Sequence, residues 1–163
     1  MAYRGVLQLV IVTPLGLAAL RAGCAGGPGV MAPDYAALVA APDRSEADRL
    51  TDQRRKPDQL IAVTGARPGM KVLDMGAGGG YSTELLARAV APGGTVYAQH
   101  LPDLFPRARE NFEKRAQGAA MKNAVHVVRP FDDPLPPGVG GLDLITFFFF
   151  YHDTVHLGVD RPR

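Results

Sequence analysis

Residues 67–83 read Arg-Pro-Gly-Met-Lys-Val-Leu-Asp-Met-Gly-Ala-Gly-Gly-Gly-Tyr-Ser-Thr. Val72 and Leu73 lead into Asp74, glycine then recurs at Gly76, Gly78 and Gly80, and beyond Ser82 the residues Leu85, Leu86, Ala89 and Val90 return at helical spacing. This pattern predicts a strand over 72–75, a sharp turn, and a helix over 82–90. Glycine at 76, 78 and 80 lets a backbone turn tightly and approach a ligand, while the helix start offers unbonded N–H groups. Such a turn suits a carboxylate or a phosphate. The dinucleotide spacing G-x-G-x-x-G fails: counted from Gly76 its third glycine falls on Tyr81, and counted from Gly78 it falls on Thr83.

Working outward, short apolar runs alternate with helical segments. Strands are expected over 95–99, 125–128 and 142–150, and a charged helix over 106–117. The 142–150 stretch is almost continuously apolar, as in a strand buried on both faces. Pro130 to Gly141 reads as a turn-rich loop. The fold class is therefore α/β, a Rossmann-like doubly wound parallel sheet with right-handed crossovers, preceded by short helices. Asp34 is placed to cap a helix over 35–41, and Ser45 with Asp48 resembles a capping box. Pro57 and Gly65 delimit a further helix. From Asp43 to Asp58 acids and bases alternate around Ala47 and Leu50, the pattern of a solvated helix.

Upstream, Arg4 precedes an apolar stretch over 6–20, followed by Ala22-Gly23-Cys24. Residues 1–24 read as an export or lipoprotein-like leader, shorter than the roughly 20 apolar residues of a membrane span. Residues 25–33 are a Gly- and Pro-rich linker, and the folded domain is expected over 34–163. Export or membrane anchoring in a bacterium follows from the leader, and a cytoplasmic location from a misassigned start. The lone Cys24 excludes an internal disulfide, and a net charge of +2 without long basic runs gives nucleic acid binding no support.

The D-x-G-x-G-x-G turn with Asp74 at the end of a strand resembles that of class I S-adenosylmethionine-dependent methyltransferases, and the whole 67–83 string is similar to a bacterial group with export-like leaders. The resemblance implies S-adenosylmethionine as cofactor. Gly76, Ala77, Gly78 and Gly80 would pass beneath its amino-acid portion, and Asp74 would position its ammonium directly or through water. It implies ribose contacts from Gln99 or His100, where the family usually has an acidic residue. Asp132 or Asp133 would reach the adenine, beside which Phe131 would stack unless it packs beneath the loop. Tyr151 and His152 would face the methyl acceptor as base or positioner. The Asn-Pro-Pro-Tyr type of sequence is absent, which points to a small-molecule acceptor. No metal is expected, since His152 and His156 lack the glutamate of H-E-x-x-H. Against the family's seven strands only four are found, so a C-terminally shortened domain of strand order 3-2-1-4 is expected, with self-association through its Phe-rich edge. A noncatalytic binding module and a nucleotide-dependent oxidoreductase are the other readings.

Overall fold

The computed structural model describes residues 31–103, 106–150 and 152–156. The leader (1–24), most of the linker and Tyr151 lie outside the described residues. No helix among the described residues is long and apolar enough to cross a membrane.

Three short helices come first: α1 (Tyr35–Val39), α2 (Glu46–Arg55) and α3 (Pro57–Thr64). The caps are those read from the sequence. The Asp34 carboxylate accepts from the Ala37 N–H at 3.0 Å, Ser45 Oγ accepts from the Asp48 N–H at 3.1 Å, and α3 starts on Pro57 and stops at Gly65, whose φ is 65°. Then β1 (Lys71–Asp74), α4 (Tyr81–Val90), β2 (Thr95–His100), α5 (Pro106–Ala116), a 3₁₀ turn (Ala119–Met121), β3 (Ala124–Val128), β4 (Leu144–Thr146) and α6 (Asp153–His156) follow.

The strands form one parallel sheet of order β3-β2-β1-β4, as expected. The register brings Ala124, Val96, Val72 and Leu144 into one row and His126, Ala98, Asp74 and Thr146 into the next row on the same face. Helix α4 packs Leu85, Leu86, Ala89 and Val90 against Val72 and Val96, forming the main core. On the other face the row Val125, Tyr97, Leu73, Ile145 is buried at its centre and open at both edges: Leu73 is 1% exposed, Val125 43% and Ile145 58%.

Two expectations are corrected. The fourth strand is three residues long rather than spanning 142–150, because Phe147 to Phe150 leave the sheet and fold back over the glycine turn. The apolar run thus reflects an aromatic cluster, and not a strand buried on both faces. In α2 the expected polarity is inverted. Ala47 and Leu50 are exposed, whereas Asp48 and the preceding Arg44 are each only 5% exposed. Charge pairing explains the inversion, since Arg44 binds Asp52 at 2.5 Å and Asp48 binds Arg115 of α5 at 2.7 Å.

Candidate cofactor and acceptor site

The glycine turn leaves β1 at the carboxyl end of the sheet, where ligands of open α/β sheets lie. Gly76, Gly78 and Gly80 have φ of 63°, 55° and 81°, in the left-handed region that side chains disfavour. At Gly80 space is also limiting, since a Cβ would stand 2.9 Å from Phe112 Cδ2. At Gly78 it is not. A Cβ there would meet nothing nearer than the Gly76 oxygen at 3.9 Å, so this part of the turn faces open space.

The residues predicted to touch a ligand mostly hold the turn from beneath. Asp74 is 1% exposed and accepts from three hydroxyls: Thr83 Oγ1 at 2.7 Å, Ser82 Oγ at 2.9 Å and Thr146 Oγ1 at 2.9 Å. It ties α4 and β4 to β1, and burial raises its pKa despite those bonds. Its carboxylate is not presented at the surface of the turn. Gln99 is fully buried; its Oε1 accepts from the Gly76 N–H at 2.9 Å and its Nε2 donates to the Arg129 carbonyl at 2.6 Å. The Ala77 N–H donates to the Gln99 carbonyl at 3.0 Å.

His100 is 1% exposed, with Nε2 2.9 Å from the Gly78 carbonyl and its ring edge-on to Phe112 and His126, at 4.5 and 4.7 Å. A donor is needed opposite a carbonyl, so Nε2 carries the proton and Nδ1, buried without a hydrogen bond, is bare. Burial holds the imidazole below its ordinary pKa of 6.5. Both side chains are thus buried and turned to backbone atoms in the described structure. Strand alternation turns His100 toward α5, and Gln99 is consumed by the backbone of the turn.

None of the described hydrogen bonds takes the N–H of Gly78 or Gly79. These two groups, at the N-terminal end of α4, are the turn's free donors. Above the turn lies an aromatic cluster: Phe131 is 5.2 Å from Phe147 and 5.8 Å from Phe150, and a Cβ on Gly76 would come within 3.0 Å of Phe150 and 3.1 Å of Phe147. Phe131 thus packs into the loop after β4. Asp132 is exposed near the end of β3, while Asp133 pairs with Arg129. His152 is largely exposed, its Nε2 3.4 Å from an Asp153 oxygen. No group of three His, Cys, Asp or Glu side chains among the described residues is arranged to hold a metal.

Sequence reasoning missed the supports of the turn on the helix side. Arg115 of α5 donates through Nε to the Gly79 carbonyl at 3.0 Å, grips both oxygens of Asp48 at 2.7 and 2.8 Å, and also binds Glu84. Tyr81, the first residue of α4, donates its hydroxyl to Asp52 at 2.6 Å. The alternation of charge over 43–58 was the available signal, and only the fold shows which charges meet.

A family model described as protein-L-isoaspartate(D-aspartate) O-methyltransferase matches residues 58–129, from α3 to the end of β3. Protein-L-isoaspartate O-methyltransferase of Aeropyrum pernix is 51% identical over 57 residues, 34% of this chain and 22% of that protein. Catechol O-methyltransferase of Mycobacterium tuberculosis is 36% identical over 115 residues, 69% of this chain and 51% of the relative. The chain thus spans about half or less of the curated relatives it matches. In fold it is similar to an S-adenosylmethionine-dependent O-methyltransferase of Thermotoga maritima, with a TM-score of 0.50 and 18% identity over 64% of this chain and 40% of that one. In its strand order, its D-x-G-x-G-x-G turn and the stretch matched over 58–129, the chain is similar to the class I S-adenosylmethionine-dependent methyltransferases.

Proposed function

We propose that this chain binds S-adenosylmethionine on the turn over 74–80 and that the protein transfers its methyl group to an oxygen acceptor. One observation carries the reading: the turn keeps Gly78 open to solvent and leaves the Gly78 and Gly79 N–H groups unbonded at the start of α4. Those donors match the carboxylate of the cofactor's amino-acid end. Asp132, exposed beyond β3, is the carboxylate within the loop that would meet the adenine amine. Asp74, Gln99 and His100 act from below, by fixing the shape of the turn.

The cofactor supplies an activated methyl on a sulfonium, and the protein's task is to hold an acceptor oxygen in line and exclude water. The aromatic loop after β4 is suited to the second part. For a hydroxyl acceptor, His152, which follows the aromatic loop and lies beside Asp153, is the candidate to take the proton, whereas a carboxylate acceptor needs no base. An oxygen acceptor is favoured over other nucleophiles because the matched family and the catechol-methylating relative both carry O-methyltransferase names. The protein-directed names also widen the acceptor class beyond the small molecule first expected.

Calorimetry with S-adenosylhomocysteine and with NAD tests the binding step, and production of S-adenosylhomocysteine from S-adenosylmethionine and an L-isoaspartyl peptide or a catechol tests the transfer. Binding without turnover on either acceptor would favour the noncatalytic reading. Binding of NAD alone would favour the oxidoreductase.

A further inference from the structure

We infer that Arg55 is a carboxylate receptor of this site in addition to the Gly78 and Gly79 N–H groups, an inference that rests on the proposed reading of the glycine turn as a cofactor cradle. Arg55 is the last residue of α2. Its Cζ lies over the ring of Tyr81, 4.9 Å from the centroid, and over the ring of Phe149, 4.2 Å from the centroid. These two rings flank the turn. Tyr81 directly follows Gly80, and Phe149 precedes Phe150, which touches Gly76.

The contrast with neighbouring arginines is chemical. Arg44, Arg88 and Arg115 are each committed to carboxylates: Asp52, the pair Asp43 and Glu84, and the pair Asp48 and Glu84. Among the described residues, no hydrogen bond or ion pair uses Arg55. Ring faces attract a cation without consuming its N–H groups, so its fork of donors stays available. Phe149, which makes this contact, has a φ of 60°, a conformation disfavoured for an aromatic residue, and is 48% exposed. Arg55 is therefore oriented by two rings carried on the segments next to the turn, with no carboxylate among the described residues paired to it.

One planar cation fits one planar monoanion, gripped through two parallel N–H bonds. A phosphate dianion is a poorer match, because a single guanidinium balances only one of its two charges. The carboxylate has two chemical sources: the amino-acid end of the cofactor, or the acid group of an acceptor.

The test is calorimetry on the full chain and its R55M and R55K variants. S-adenosylhomocysteine is compared with 5′-methylthioadenosine, which lacks the amino-acid end, and an L-isoaspartyl peptide with its carboxamide twin. R55M, which keeps length and apolar contact with the rings, should lose at least tenfold in affinity for a carboxylate ligand and nothing for its carboxylate-free partner. R55K should recover part of that loss, since an ammonium cannot fork. A loss confined to S-adenosylhomocysteine assigns the cofactor's carboxylate, and a loss confined to the acidic peptide assigns the acceptor's. Unchanged affinity for both acids, or equal losses with and without the carboxylate, would overturn the role of Arg55. If the unaltered chain binds neither nucleoside, the cradle reading fails instead, and the peptide pair alone decides on Arg55.

Discussion

Asp74, expected to position the cofactor's ammonium, also holds the fold together. Its three hydroxyl partners come from α4 and β4, so the carboxylate holds the turn, the helix and the edge strand in one arrangement. Asp74→Ala leaves those donors without their acceptor in a buried place, and should cost about 3 kcal/mol or more of stability. Urea denaturation followed by circular dichroism checks this, with Asp74→Asn expected to fall between. His100 makes a pH prediction. Burial lowers its pKa, so the folded state resists protonation while the unfolded chain accepts a proton near 6.5. Its contribution to stability is complete above that pH and is lost as pH falls through the lowered folded value. Asp74 has the opposite sign: its raised pKa favours the folded state at low pH, an advantage lost as pH rises from 3.8 through the folded value. His100 and His126, whose pKa burial also lowers, should therefore pull the urea midpoint down between pH 7 and 5.5 against the opposite contribution of Asp74, and His100→Asn should remove its part of that fall. The identity of the turn was legible at the residue scale because glycine spacing is a local signal. The direction of its supports was not. Strand alternation puts Asp74 and Ala98 in the row facing α4, and His100 two residues on shares that face, but which side α4 and α5 cover is decided by tertiary packing.

Between β1 and α4 the turn divides into a part that faces protein and a part that faces open space. Gly80→Ala meets both a left-handed φ and the Phe112 ring, and should destabilise the fold by about 2 kcal/mol or more. Gly78→Ala meets only the φ penalty, about 1 to 2 kcal/mol, but places a methyl in the cradle. The expected pattern is a larger fall in melting temperature for Gly80→Ala and a larger fall in S-adenosylhomocysteine affinity, relative to stability lost, for Gly78→Ala. Equal effects on both readouts would contradict the division. Element boundaries set by caps were readable, as at Asp34, Ser45, Pro57 and Gly65. Strand β4 was misjudged because an apolar run does not distinguish a buried strand from an aromatic loop, and Phe147 and Phe150 leave the sheet to pack on Gly76.

For the molecule as a whole, the N-terminal helices and the cofactor turn form one electrostatic unit. Arg115 links α5 to α2 through Asp48, to α4 through Glu84, and to the turn through the Gly79 carbonyl. Removing one partner of a largely buried ion pair strands the others, so Arg115→Met should cost about 3 kcal/mol. Leu50→Gln, on the exposed side of α2, should stay within about 0.5 kcal/mol of the unaltered chain. That contrast reverses what the hydrophobic pattern of α2 suggests by itself, and chemical denaturation of the two variants decides it. Whether the turn over 74–80 cradles S-adenosylmethionine is decided by titration calorimetry of the chain with S-adenosylhomocysteine, alongside NAD as a control. Saturable one-to-one binding of S-adenosylhomocysteine is expected, weakened by Gly78→Ala, with no heat of binding for NAD; a folded chain that fails to bind S-adenosylhomocysteine would show that the turn is no cofactor cradle.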